Sequence, residues 1–226
     1  MPTGSLICKG AQPVFEPCPK IEQWALGPIE TNCYFLGCET TRQGAIIDPA
    51  WDGAVIADRV ARDGYTLTHI LLTHTHFDHV AGLAELKAAT GAPIYAHPEA
   101  VPMLHLANTT AQLWGITFPT PPGPDQLLAE GDVLKIGELE VRVLFTPGHA
   151  PGHVSFYAPA AKAVFSGDVL FNFSIGRTDL PGGNYSLLIA SIQTQLLTLP
   201  DATLVLSGHG PQTTIGFERE NNPFLS

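Results

Sequence analysis

Basic side chains are scarce in this chain: 11 Lys and Arg stand against 21 Asp and Glu, a formal net charge of -10 at pH 7. Such a surface repels a phosphate backbone or an anionic membrane on average, so neither nucleic acid nor membrane is an expected partner. Long apolar runs are missing as well, and no stretch approaches the roughly 18 residues of a membrane-spanning helix. The start, Met1-Pro2-Thr3-Gly4-Ser5, lacks the basic region and apolar stretch of a secretory signal, which points to a cytoplasmic location. Cysteine is sparse. Cys8, Cys18, Cys33 and Cys38 form no Cys-x-x-Cys pair and lie away from the histidine-rich segment, so they read as reduced structural thiols, a disulfide such as Cys33–Cys38 being the alternative. Charged residues make up 14% against 45% hydrophobic, which excludes a disordered segment and fits a folded globule.

What the chain does have is Thr73-His74-Thr75-His76-Phe77-Asp78-His79, with three of its nine histidines and an aspartate inside six residues. Neutral imidazole nitrogen and carboxylate oxygen are both ligands for a divalent ion such as zinc. Ile70-Leu71-Leu72 before the run reads as the end of a buried strand, and the segment from Val80 onwards as a helix. His74 and His76, two apart in extended chain, point to the same side and can share one ion. Asp78 and His79 open the helix and turn away from that pair, so two adjacent ions are expected. The plain alternative is a corner of hydrogen-bonded histidines, which mutual repulsion of three charged imidazoles opposes.

Twenty prolines and 22 glycines cut the remainder into short elements. Strands are expected at residues 34–36, 44–48, 69–72, 141–145, 154–157, 163–166 and 204–206, and helices at 53–62, 80–89 and 186–199. The Pro-rich segment 117–126 reads as a connection between two halves of a single domain spanning 1–226, because ligand-type residues lie on both sides of it. A mixed α/β sandwich, sheets inside and helices outside, follows.

Four further strand ends deliver a ligand-type residue after a turning one: Ile47-Asp48-Pro49, Thr146-Pro147-Gly148-His149, Ser166-Gly167-Asp168 and Ser207-Gly208-His209. Strand ends bring side chains to one sheet edge, and glycine lets the backbone approach an ion. Singly each is a turn or capping residue; together and in this order they are specific. His69 and His105 read as structural, His97 as a turn residue, and His153 as a support behind the ligands.

In these positions the sequence resembles the metallo-β-lactamase superfamily, across nearly the whole chain. The resemblance implies a four-layer αββα sandwich with the metals at one edge. It implies a first site from His74, His76 and His149 and a second from Asp78, His79 and His209. Asp168 would bridge the two ions, and Asp48 would support the site from behind. Within the superfamily, Thr146–His153, Ser174–Pro181 and Gly208–Pro211 resemble short bacterial hydrolases of the glyoxalase II type. One departure is implied: the full-length thioesterases carry a C-terminal helical region with basic residues for the glutathione carboxylates, whereas 17 residues follow His209 here. Arg177 is the expected substrate contact in its place, or else a structural partner of Asp179 or Asp168. Tyr185 is a further candidate.

Two ions about 3.5–4 Å apart lower the pKa of a shared water towards neutrality and polarise a carbonyl. A thioester suits such a site, because its leaving thiol has a pKa near 8.5, so a dedicated acid is hardly needed. Asp78 and Asp168 would temper the cationic charge, and Asp48 would orient an imidazole. The expected function is hydrolysis of S-lactoylglutathione or a related hydroxyacyl thioester by two divalent ions, zinc first, with iron and manganese compatible. The alternative is an iron persulfide dioxygenase: those relatives share the Gly176–Asp179 segment and hold one iron, here on His74, His149 and Asp168. Gly208-His209-Gly210-Pro211 favours the hydrolase. Lactamase action is opposed by the lack of a signal, and nuclease action by the acidic charge.

Overall fold

A computed structural model describes residues 18–225. Its first sheet runs β1 (Pro19–Leu26), β2 (Thr31–Cys38), β3 (Gln43–Ile47), β4 (Thr66–Leu71), β5 (Ile94–Ala96) and β6 (Gln126–Leu127), neighbours in that order. The second is built from β7 (Val133–Ile136), β8 (Leu139–Phe145), β9 (Val154–Ala158) and β10 (Ala163–Gly167) with two later strands. A small hairpin, β11 (Leu170–Phe171) and β12 (Ser174–Ile175), precedes those two, β13 (Leu204–Ser207) and β14 (Thr213–Thr214). The spatial order of the second sheet is β14-β13-β10-β9-β8-β7.

Side-chain alternation explains why the strands read as unbroken apolar runs. Along β2, Cys33 and Phe35 enter one core cluster while Tyr34, Leu36 and Cys38 enter another. Both faces of the strand are buried, so no polar face interrupts the run. The second cluster lies between the sheets, where Tyr34, Leu36 and Ile47 meet Val141, Phe156 and Phe165. On the outer face of the first sheet lie α1 (Gly53–Arg62), α2 (Phe77–Val80), α3 (Leu83–Thr90) and α4 (Val101–Gln112). Outside the second sheet, Val164 and Val205 pack on Leu188 of α5 (Tyr185–Ser191) and Ile215 of α6 (Ile215–Asn221). The four layers are therefore helix, sheet, sheet, helix, as expected.

Several expectations are corrected. The helix expected over 80–89 is two pieces, α2 and α3, broken at Ala81-Gly82. There the chain presses on the loop after β3: Gly82 N donates to Pro49 O at 2.9 Å, and a Cβ on Gly82 would sit 2.9 Å from the Trp51 backbone. The helix expected over 186–199 is α5 followed by a π-helical turn, Ile192–Leu196. Segment 117–126 joins α4 to β6 inside the first half, and the chain crosses to the second sheet after β6. Its end is pinned to the first sheet by Asp125, which accepts from Ile94 N at 2.8 Å and Lys87 Nζ at 2.7 Å. Cys18, Cys33 and Cys38 are free; Cys33 and Cys38, five apart on one strand, face opposite cores and cannot pair. Cys8 lies outside the described residues. Among the described residues, no helix is long and apolar enough to cross a membrane.

Candidate metal centre

Five strand ends meet at one edge of the sandwich, and each delivers what its sequence promised. Asp48 follows β3, His74 follows β4, His149 lies in the loop after β8, Asp168 follows β10 and His209 follows β13. All seven expected ligands come together. His149 Nε2 lies 2.9 Å from His76 Nδ1 and 3.6 Å from Asp168 Oδ2. His209 Nε2 lies 3.2 Å from Asp78 Oδ2 and 3.6 Å from Asp168 Oδ2, while His79 Nε2 is 3.4 Å from Asp168 Oδ1. Two groups, His74/His76/His149 and Asp78/His79/His209, each converge tightly enough to hold an ion, and Asp168 stands between them.

Hydrogen bonding behind the rings sets their tautomers. Asp48 Oδ2 accepts from the Thr73 hydroxyl at 2.6 Å and from His79 Nδ1 at 3.0 Å, while Oδ1 accepts from Thr73 N at 2.8 Å. With its proton given to Asp48, the Thr73 hydroxyl can only accept from His74 Nδ1, 3.0 Å away. His149 Nδ1 donates to Arg177 O at 2.8 Å. The Nε2 atoms of His74, His79 and His149 are thereby turned inward. Asp48, His74 and His79 also lie close enough together to suggest a third ion group, but both Asp48 oxygens are already used, so that trio is a support rather than a site.

The donor set fits a divalent cation on its own terms. His74 Nε2, His79 Nε2 and Asp168 Oδ1 are buried side-chain atoms with no hydrogen-bond partner. Each orphaned buried polar atom costs about 1–3 kcal/mol. Divalent ions at the two triplets would satisfy all three atoms, His74 in one triplet, His79 in the other and Asp168 beside both; apolar filling would satisfy none.

Charge follows the same geometry. Burial, and then the surrounding imidazoles, hold His74 well below the ordinary histidine value. Burial and His149 bring His76 down to about 4. For Asp78 burial pushes upward, but His79 and the His209 hydrogen bond hold it down to about 2. Asp168 is lowered further still; burial opposes this and is outweighed by His79. His79 is raised well above its ordinary value, since Asp78 and Asp168 overcome its burial. His209 is raised against burial by its Asp78 hydrogen bond.

Gly208 illustrates why glycine precedes a ligand here: a Cβ would overlap Asp168 Oδ1 and come within 2.6 Å of His79 Cε1. His153 is fully buried, stacked on His74 at 4.9 Å. Its Nε2 accepts from Asp168 N at 3.2 Å and its Nδ1 meets the Thr146 hydroxyl at 3.1 Å. It positions Asp168 rather than facing the ions. His97 caps a short 3-10 turn, accepting from Glu99 N, His69 stacks on Tyr95, and His105 is exposed. Two contributors escaped sequence reasoning. Thr31 donates to Asp78 Oδ2 at 2.8 Å, and the Thr73 hydroxyl links Asp48 to His74. Nothing in the sequence marks Thr31, 47 positions from its partner.

The centre opens into a cleft of about 630 Å³. Arg177 lines it, with its guanidinium on Asp179 at 2.7 and 2.8 Å. Tyr185, the further candidate, is exposed and is not among the residues that line the cleft. Asn184 caps α5 and the turn buries Leu188, which leaves Tyr185 facing solvent.

A family model described as the metallo-beta-lactamase superfamily matches residues 26–209. The chain is 44% identical over 209 residues to the probable metallo-hydrolase YqgX of Bacillus subtilis, covering 92% of this chain and 98% of that protein. It is 38% identical over 200 residues to the hydroxyacylglutathione hydrolase GloC of Haemophilus influenzae, covering 88% and 94%. Among solved structures, BLEG-1 B3 metallo-beta-lactamase superposes with a TM-score of 0.85 at 42% identity, covering 92% and 100%. TTHA1623 in a di-iron-bound form superposes at 0.83 with 42% identity, covering 90% and 100%. ETHE1 from Myxococcus xanthus superposes at 0.76 with 31% identity, covering 90% and 83%.

Proposed function

We propose that this chain, which belongs to the metallo-β-lactamase superfamily, is a metal-dependent hydrolase of thioesters of the glyoxalase II type, with S-lactoylglutathione as reference substrate. The observation that carries the reading is the double ligand set: His74, His76 and His149 for one ion, Asp78, His79 and His209 for another, and Asp168 facing both. Likeness to GloC, named a hydroxyacylglutathione hydrolase, supports the thioester, and likeness to a di-iron form of TTHA1623 supports two ions without deciding their element. Zinc is the first candidate, with iron and manganese chemically compatible.

Divalent ions held by these residues would supply an acidified water and polarise the substrate carbonyl. The protein's part is positional. Asp48 holds the His79 ring directly and the His74 ring through Thr73; Arg177 O holds His149; His153 holds the Asp168 backbone. Asp78 and Asp168, kept ionised, balance the dication charge. In the net reaction water oxygen bonds to the acyl carbon, the C–S bond breaks, one water proton goes to the sulfur and the other to solvent, and a carboxylate and a thiol leave. A thiol of pKa about 8.5 departs without a strong acid beside it.

Thiol release from S-D-lactoylglutathione by metal-replete protein, with His149→Ala as control, tests the reading. Release that disappears in the variant supports it. Since one similar structure is named a B3 metallo-beta-lactamase, a chromogenic cephalosporin is run alongside; turnover of that substrate alone would overturn the thioester reading. The second reading, a one-iron persulfide dioxygenase on His74, His149 and Asp168, draws on the 3.6 Å approach of His149 to Asp168 and on the Gly176–Asp179 segment. Oxygen uptake with glutathione persulfide, in place of thiol release, would favour it.

A further inference from the structure

The cleft beside the candidate ligands has more apolar wall than a thioester bond needs. Met103, Leu106 and Trp114 line it from α4 and its end, and Ile29, Leu180 and Pro181 from two loops. Leu106 and Trp114 are 57% and 65% exposed. Neither is needed to seat α4, which packs on the core through Leu104, Ala107 and Ala111; the Trp114 ring meets the core only at its edge, 6.5 Å from that of Phe77. Large apolar side chains exposed together in a cleft of this size mark a place where an apolar group is received.

The charges point the same way. Among the described lining residues outside the ligand set, two are charged, Glu99 and Arg177, and Arg177 already carries Asp179 on two hydrogen bonds. A thiol bearing carboxylates would meet one acid and one neutralised cation there. An uncharged hydrocarbon arm would meet six apolar side chains and lose no hydrogen bonds on entering.

We propose that the preferred substrate is a thioester with an uncharged apolar arm, aliphatic or aromatic, laid along the α4 wall, and that Leu106 and Trp114 set this preference. The proposal rests on the thioester reading for its chemistry and on the cleft for its specificity. The two are separable by experiment.

The test measures kcat/KM for the acetyl, butyryl and octanoyl thioesters of N-acetylcysteamine, for the acetyl thioester of octanethiol, and for S-lactoylglutathione. Each buried methylene is expected to add about two- to fourfold. At least a tenfold rise with the eight-carbon arm, on either side of the sulfur, and slower turnover of S-lactoylglutathione support the proposal. Leu106→Glu, at an exposed position, is expected to remove most of that rise. A flat profile in both series, or S-lactoylglutathione preferred over both eight-carbon substrates, overturns it. If no thioester is cleaved, the hydrolase reading fails, and the intact octanoyl thioester becomes a stable ligand. Saturable quenching of tryptophan fluorescence that is lost in Trp114→Phe then supports the apolar site, and its absence overturns it.

Discussion

Asp48 Oδ2 accepts from His79 Nδ1 at 3.0 Å, and this contact turns the other ring nitrogen towards Asp78 and Asp168. The same oxygen takes the Thr73 hydroxyl. In Asp48→Asn, an amide nitrogen placed there would face two donors, and one placed at the other oxygen would face Thr73 N. A loss of about 10- to 100-fold in metal affinity is expected, read by chelator competition. Unchanged affinity for both ions would show that Asp48 does not orient the rings.

Gly208→Ala places a methyl group against Asp168 Oδ1 and His79 Cε1. Asp168, which faces both triplets, must move. Metal content is expected to fall by about one ion per chain and thiol release by at least tenfold. The fold should survive with a loss of about 1–3 kcal/mol, the usual cost of overpacking, read by thermal melting.

The two triplets carry different proton loads before any ion arrives. His74 and His76 are held neutral by burial and by neighbouring imidazoles. His79 and His209 are raised by Asp78 and Asp168, so they keep their protons to higher pH than an ordinary histidine and an incoming ion must displace them. Affinity at the Asp78/His79/His209 group should therefore fall as pH falls, by up to about tenfold per unit for each displaced proton, and that at the other group should change less. Calorimetry of zinc binding in buffers of different ionisation enthalpy is expected to show unequal proton release for the two equivalents. Equal release would contradict the assignment.

Arg177 serves the centre through its carbonyl, which holds His149, while its exposed guanidinium is occupied by Asp179. Asp179→Asn frees the guanidinium. kcat/KM for S-lactoylglutathione is expected to rise severalfold, with no change for uncharged thioesters. Arg177→Ala keeps the carbonyl and should leave the metal content at two.

The convergence of the candidate ligands was legible because they follow apolar strands and the run from His74 to His79 is dense. The layered fold was legible because strands buried on both faces read as continuous apolar segments. The breaks were not. Gly82 looks like any residue of an amphipathic helix until Pro49 and Trp51 press on it from a segment more than thirty positions earlier. Helix α4 escaped because it is apolar on both sides: Leu104, Ala107 and Ala111 face the core, while Leu106 and the following Leu113 and Trp114 face out. Its helical period is blurred by the residues that line the cleft. Thr31 and Arg177 O act across the tertiary fold, one through a hydroxyl and the other through backbone, and neither leaves a mark in sequence.

Metal counted per chain by mass spectrometry, on the same sample whose thiol release from a thioester is followed, tests the central claim most directly. Two ions per chain are expected, with release abolished by chelation and restored by divalent metal. One ion per chain, with oxygen uptake on a persulfide and no thiol release, would contradict it.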